Sequence, residues 1–372
     1  MMKKVHLLTA GFTSPNGRAF LMPLLLYSKE LSDLGITVKL FDKPTDDFLD
    51  ADYISIDSKY YGPKWKNHRQ DIIAETHSMK DYCKKIIFFD IQDSSGWDQC
   101  HIIPHVTLYC KSQLLIDKNR YLQPVYGHRV YSDFFHRKFN ITDHTNDSSV
   151  PIPKQEYLRK LTLGWNSGLA DYSLSGPMRM ALYARVAPAA RSLLRYPKTF
   201  KRPSANRSIP ISLRIGTNYH RETVAWQRKN ISYRLRNLIP SGKVNRYKYL
   251  KELENSKIAV SPFGLGEITL RDFEIFTAGC MNLKPDMSHM ETWPNFFESN
   301  HTILTHKWDL SDLEEKIDFA LSNMDILLEI AKNGQDRYYS YLVGEDAGKL
   351  FSLHFQQILE KADALHLDGN IN

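Results

Sequence analysis

The sequence predicts an α/β protein built as two doubly wound domains that face each other across a cleft. Three observations carry that expectation. The chain's 372 residues exceed one ordinary core, since domains run to about 150 residues. Short β-branched or aromatic runs alternate with helical patterns in both halves, as parallel sheets with crossover helices require. Finally, the glycine-rich turn Gly264-Leu265-Gly266 opens a largely apolar helix, an arrangement that brings backbone amides close to an anion.

In the first half, strands are expected at 4–11, 36–42, 52–57 and 85–91, with a further strand at 106–110 and a basic segment at 111–120. Residues 134–155 read as polar, with loops over 142–149 and 151–153. The second half repeats the alternation, with strands at 209–215, 258–261, 281–284 and 301–305 and a helix over 221–238. Ser311-Asp-Leu-Glu314 reads as a capping box opening a helix that places Leu313, Ile317, Leu321, Met324 and Leu328 on one side. A last helix covers 347–364, and disorder is expected only over 368–372. The domains divide accordingly: 1–205, ending in a basic linker near 185–205; 206–345; and 346–372, a helix packing back toward the first domain.

Hydrophobic residues make up 42% and charged residues 24% of the chain, which suits a globular protein. Cys83, Cys100, Cys110 and Cys280 form no CxxC pair, and the N-terminus reads as a strand and not a signal peptide, so a cytoplasmic location is expected. No apolar run reaches the ~18 residues of a membrane span. The net charge of +7 is unevenly placed. Arg185, Arg191, Arg195, Lys198, Lys201 and Arg202 crowd one segment, interleaved with Met180, Leu182, Tyr183, Val186, Leu193, Leu194 and Tyr196. Segment 185–202 is therefore expected to meet the anionic inner face of a membrane peripherally. The plainer reading is a solvated basic linker, and Pro188 and Pro197 argue against one long helix. No nucleic-acid motif accompanies the patch, and no nucleic-acid partner is expected. No metal site is expected either: Pro104 separates His101 from His105, no third ligand is evident, and Asp50-Ala-Asp52 reads as a solvated acidic loop.

Chemistry concentrates in 261–279. On a helix, Glu267, Arg271 and Glu274 fall within roughly 60° of one another. Arg271 then offers a planar fork to phosphate oxygens, while Glu274 accepts hydrogen bonds from ribose hydroxyls. Alternatively, Arg271 simply bridges the two glutamates. Arg221 is a second phosphate candidate, with Arg214 in its place if the preceding strand ends early; either arginine equally suits a surface carboxylate. Lys284 and Asp286 follow a strand and suit donor-sugar hydroxyls, though a proline turn with Asp286 as a cap gives the same letters. In the first domain, Asp93 lies where a strand end meets the cleft and is preferred to Asp90, which is still inside the strand; an Asx turn explains Asp93 as cheaply. The loop from Gly11 through Asn16 to Gly17 opens a helix and suits an anionic acceptor or donor group. It lacks the G-x-G-x-x-G fingerprint, which argues against a nicotinamide dehydrogenase.

Pro262-Phe-Gly264, followed by Gly266-Glu-(x)3-Arg271-Asp-Phe-Glu274-(x)4-Gly279-Cys280, resembles the donor-site signature of GT-B glycosyltransferases, especially exostosin-like and spore-coat-type members. The resemblance is sharp over 209–310 and architectural elsewhere. It implies two Rossmann-like domains in the GT-B architecture, a nucleotide-sugar donor whose ribose meets Glu274, and transfer onto a growing cell-surface glycan or a lipid-linked acceptor. Basic and backbone donors can stabilise the departing diphosphate without metal, and the nucleotide sugar is a substrate, so no cofactor is expected. Retaining members separate two glutamates by seven residues. Here six separate Glu267 from Glu274, so the retaining stereochemistry does not carry over. Activation of the acceptor hydroxyl, or a nucleophile, falls to Asp93, then Asp90 and Glu267. The competing readings are a catalytically silent nucleotide-sugar or polyanion binding module and a nucleotide-sugar epimerase.

Overall fold

Runs such as Tyr53–Asp57 and Ile86–Asp90 are buried at every position, as strands covered on both faces must be. The computed structural model describes residues 2–96, 99–145, 147–186, 190–238, 242 and 244–369. In chain order its strands are β1 (Lys3–Leu8), β2 (Ile36–Phe41), β3 (Tyr53–Asp57), β4 (Ile86–Asp90), β5 (Leu108–Lys111), β6 (Gln113–Leu115), β7 (Leu161–Leu163), β8 (Ile209–Ser212), β9 (Ser256–Val260), β10 (Met281–Pro285), β11 (Met290–Thr292) and β12 (Leu304–His306). One sheet has the order β2-β1-β3-β4-β5-β7, and a second has the order β12-β10-β9-β8. Every pairing in both is parallel. The loops at the carboxyl ends of the two sheets meet, and the crevice between them is where open α/β sheets take ligands.

The expected strands exist, with shifts at their ends. β1 stops at Leu8, so Gly11 belongs to a separate short turn, Gly11–Thr13, with φ +68°. β8 stops at Ser212, and the following helix runs Glu222–Arg234. Residues 134–139 are not a polar connection: they complete the helix Val130–Phe139, whose Phe134, Phe135 and Phe139 pack into the main core. The capping box at Ser311 does not form. Leu310 adopts φ +65°, and the helix Leu313–Ser322 starts after Asp312, whose carboxylate instead accepts from the Lys307 amide. The apolar stripe from Leu313 to Leu328 is split at Asn323, where a second helix, Met324–Leu342, begins; both halves still pack on one core. Asp368, expected in a disordered tail, lies in the last helix, Ala347–Gly369, while 370–372 and Pro188 fall outside the described residues.

Contacts of several kinds join the halves. Antiparallel pairing of β6 with β11 makes a two-stranded sheet that spans the crevice. Asp143, in the loop after Val130–Phe139, accepts from the Thr223 amide at 2.8 Å and so caps the helix Glu222–Arg234. The last helix returns to the first sheet, where Asp363 accepts from Tyr53, Lys85 and Lys3. On the same helix the His354 ring stacks on Trp293 at 3.9 Å, and its Nε2 lies 2.8 Å from the Gly164 carbonyl oxygen.

Burial holds His354 and His306 neutral, each with its pKa pushed down to about 4 from the ordinary 6.5. The unfolded chain therefore binds more protons than the folded one between those values. The stability these two histidines contribute is fully present above pH 6.5 and is lost as pH falls toward 4. The melting temperature is expected to drop by roughly 5 °C or more between pH 7 and pH 5. His354→Gln, which keeps a donor for Gly164, should flatten that slope in a calorimetric pH series.

Candidate active site

A cavity of about 440 Å³ opens between the two sheets, a size ordinary for a small-molecule site. Its first wall comes from the segments that follow β1, β3, β4, β5 and β7, which contribute Asn16, Lys59, Asp93, Gln113 and Asn166. The second wall is Tyr219, Arg228, the turn Gly264–Gly266 and the start of the helix Leu270–Ala278. Strand topology thus brings residues from eight separate stretches of chain to one crevice.

Asp93 is half-buried in the first wall, and Asn16 Nδ2 donates to its Oδ1 at 2.8 Å and to the Ile91 carbonyl at 2.9 Å. The Asn16 amide thereby fixes the carboxylate against the backbone that carries it. Gly11 and Gly17 shape that loop. Ser14 caps the helix Pro15–Leu26 by accepting from the Gly17 amide at 3.0 Å, and a Cβ on Gly17 would crowd the Gly11 carbonyl oxygen at 2.7 Å. Asp90, in contrast, is buried in β4, where it accepts from Lys111 Nζ at 2.5 Å and Tyr109 OH at 2.8 Å. It faces the protein interior and not the cavity.

The charged stripe expected on one helix does not exist, because that helix begins at Leu270. Thr269 and Asp272 form the capping box that the sequence suggested for Ser311. Glu267 therefore lies in the preceding loop, fully buried, and reaches across to the first domain. Its carboxylate accepts from the Ser95 amide at 3.0 Å and Ser95 Oγ at 2.6 Å, with His289 Nε2 at 3.5 Å. Burial opposes its charge, yet the neighbouring imidazole and the Ser95 bonds prevail and hold the carboxyl below its usual range.

Arg271 spends its guanidinium inside the second domain. Nε donates to the Val260 carbonyl at 2.9 Å, Nη1 to the Arg214 carbonyl and Tyr249 OH, and Nη2 to the Ser212 carbonyl. No free fork remains for phosphate. Glu274 accepts from Arg246 at 2.5 Å and Tyr249 OH at 2.9 Å, away from the cavity lining. Lys284 is buried beside Asp272 at 3.0 Å, Asp286 turns onto Ser288, Arg214 pairs with Glu252, and Arg221 lies 3.5 Å from Asp143. Lys284, Arg214 and Arg221 each face a carboxylate of the protein itself, and Asp286 accepts from the Ser288 hydroxyl.

The cations that do face the cavity are Arg228 and Lys59, neither singled out in the sequence. Arg228 lies under the glycine turn, donating to the Phe263 carbonyl at 2.6 Å and the Gly216 carbonyl at 3.1 Å, with its guanidinium 4.9 Å from the Tyr219 ring centroid. It sits mid-helix among other polar letters, so no local pattern marks it. Lys59 follows β3 and donates to Gln92 at 3.0 Å; the rule that ligands meet strand ends would have found it.

Residues 200–342 match the family model described as glycosyl transferase-like. That match contains the whole second wall of the cavity, from Tyr219 to Leu270. Among solved structures, the chain is similar to Anabaena Alr3699/HepE in complex with UDP and glucose, at 10% identity over 97% of this chain and 100% of that one, with a TM-score of 0.44. It is also similar to an alpha-glucosyltransferase in complex with UDP-glucose and DNA containing an abasic site, at 10% identity over 96% and 99% of the two chains and a TM-score of 0.45. A glycosyltransferase from Rickettsia africae ESF-5 aligns at 8% identity over 96% and 99%, also with a TM-score of 0.45. No curated protein matches the sequence.

Within the matched region, Gly266 is required by the other domain: a Cβ there would overlap the Asp93 carbonyl oxygen. Gly266→Ala should therefore lower unfolding stability by about 1–3 kcal/mol or more by forcing the walls apart. Glu267→Gln should cost about 1–3 kcal/mol, since it takes the charge from a buried acceptor of two hydrogen bonds. Denaturant midpoints read both. Turnover of folded Glu267→Gln within a few-fold of the parent would assign Glu267 to holding the Ser95 loop.

Proposed function

We propose that the protein transfers a sugar from a nucleotide-sugar donor to a hydroxyl of a growing glycan or its lipid-linked precursor, without a metal ion, in the cytoplasm. The observation that carries this reading is the coincidence of the glycosyl transferase-like match with one wall of an interdomain cavity whose other wall presents a carboxylate. The donor diphosphate lies against the second wall, where Arg228 and the N-terminal end of the helix Leu270–Ala278 meet its charge, with Lys59 opposite. Asp93, oriented by Asn16, takes the proton of the attacking acceptor hydroxyl. The resemblance of the Gly266–Cys280 pattern to exostosin-like and spore-coat-type enzymes supports a glycan acceptor.

The test is release of nucleoside diphosphate from a panel of nucleotide sugars, with and without glycan acceptors and with and without EDTA. A transferase hydrolyses donor slowly until acceptor is added, whereas an epimerase converts the donor sugar with no acceptor present. Asp93→Asn should cut turnover by at least ~100-fold while donor affinity measured by calorimetry stays nearly constant, because the lost interaction belongs to the transition state. Turnover within a few-fold of the parent would remove Asp93 from the chemistry. Arg228→Ala should weaken nucleoside diphosphate binding by about 1–3 kcal/mol, and unchanged affinity would move the diphosphate elsewhere.

A further inference from the structure

Between Asp171 and Glu222 the chain contains ten Lys and Arg residues and no Asp or Glu. The structure divides that run into cations with internal work and cations without it. Arg179 pairs with Asp171, Arg202 with Asp336, and Arg207 braces carbonyls of Ser256 and Ala278. Arg185, Arg195, Lys198 and Lys201 are exposed, and no described carboxylate pairs with them.

The apolar residues of the segment are divided in the same way. Met180, Tyr183, Leu194 and Tyr196 belong to the core, so they cannot serve an external surface. On the helix Gly176–Val186, however, Met178, Leu182 and Val186 are 76%, 48% and 43% exposed. Their spacing of four residues puts them on one stripe at about 100° per residue, and Arg185 falls at its edge. Leu174, also exposed, precedes the same stripe. The opposite face, through Met180 and Tyr183, is seated on the first domain, with the Tyr183 ring 4.9 Å from Phe12 in the turn Gly11–Thr13. That turn leads directly into Ser14, Pro15 and Asn16 of the cavity wall. Among the described residues no helix is long and apolar enough to cross a membrane.

From the juxtaposition of an exposed apolar stripe, unpaired cations and the cavity rim, we propose that the helix Gly176–Val186 docks the protein on an anionic lipid bilayer. Leu182, Met178 and Val186 enter the interface, while Arg185, Arg195 and Lys198 meet lipid phosphates. The orientation presents the rim of the cleft to lipid-borne acceptors, a consequence that rests on the proposed transferase reading; the docking itself does not.

Sedimentation with vesicles of phosphatidylcholine containing phosphatidylglycerol, against phosphatidylcholine alone, tests it. The protein should pellet with the anionic vesicles and be released by salt. Combined Met178→Ser, Leu182→Ser and Val186→Ser should lower vesicle affinity at least tenfold, and so should combined Arg185→Glu, Arg195→Glu and Lys198→Glu. Circular dichroism and nucleoside diphosphate affinity should match the parent, since none of these side chains lines the cavity. Failure of the parent to bind anionic vesicles, equal binding to neutral ones, or parental binding by the serine variant would overturn docking. So would a lipid-free dimer that the serine substitutions abolish, because the stripe would then be covered by a second copy. Transfer to a water-soluble acceptor is assayed separately: vesicle binding without any transfer would sink the transferase reading and leave the docking standing.

Discussion

The cleft depends on a carboxylate that crosses from one domain to the other. Glu267 leaves the second domain just before the helix Leu270–Ala278 and ends, out of contact with water, on the amide and hydroxyl of Ser95. A buried charge is tolerated only when its partners replace water, so the Ser95 loop cannot drift without stranding it. Two residues upstream of Ser95 stands Asp93, and one residue before Glu267 stands Gly266, whose missing side chain lets the Asp93 backbone come close. The carboxylate that faces the cavity is thus located by a different carboxylate that does not.

Other ties act in the same direction. Tyr131 OH donates to the Gly264 carbonyl at 2.9 Å, and Arg129 Nε donates to the Leu265 carbonyl at 2.6 Å, so first-domain side chains hold the glycine turn from outside. The β6–β11 pairing and the Asp143 cap close the remaining sides. Sliding one domain over the other would break several of these bonds together. The same economy explains why so few of the second domain's charges reach the cavity. Glu274, Lys284 and Asp272 are buried and Arg271 is half-buried, and each takes a partner from a neighbouring element.

What the sequence determined by itself was the architecture and the address of the site. Alternation of β-branched runs with helical patterns is local, is written in adjacent letters, and located strands β1 to β5 and β8 to β10 to within a few residues. Burial of the two sheets then obliges their carboxyl ends to face one crevice, which is why Asp93, Asn16, Gly264 and Gly266 could be read as cleft residues from strand ends alone.

Tertiary structure decided which charges face the cavity. Periodicity treated Glu267, Arg271 and Glu274 as one helical stripe, but Thr269 and Asp272 set the helix start by a capping box, and three residues of shift send Glu267 to another domain. Whether Arg271 or Arg228 faces the cavity depends on carbonyls of Val260, Ser212, Phe263 and Gly216 that are distant in sequence, and no single-segment pattern encodes them. The three-residue strands β6, β7 and β11 were equally invisible, because segments that short carry no period and exist only where a partner strand supplies their hydrogen bonds. In the basic segment, composition identified cations and apolar residues but not their faces. Packing of Tyr183 on Phe12 took Met180 and Tyr183 inward and left Met178, Leu182 and Val186 in water.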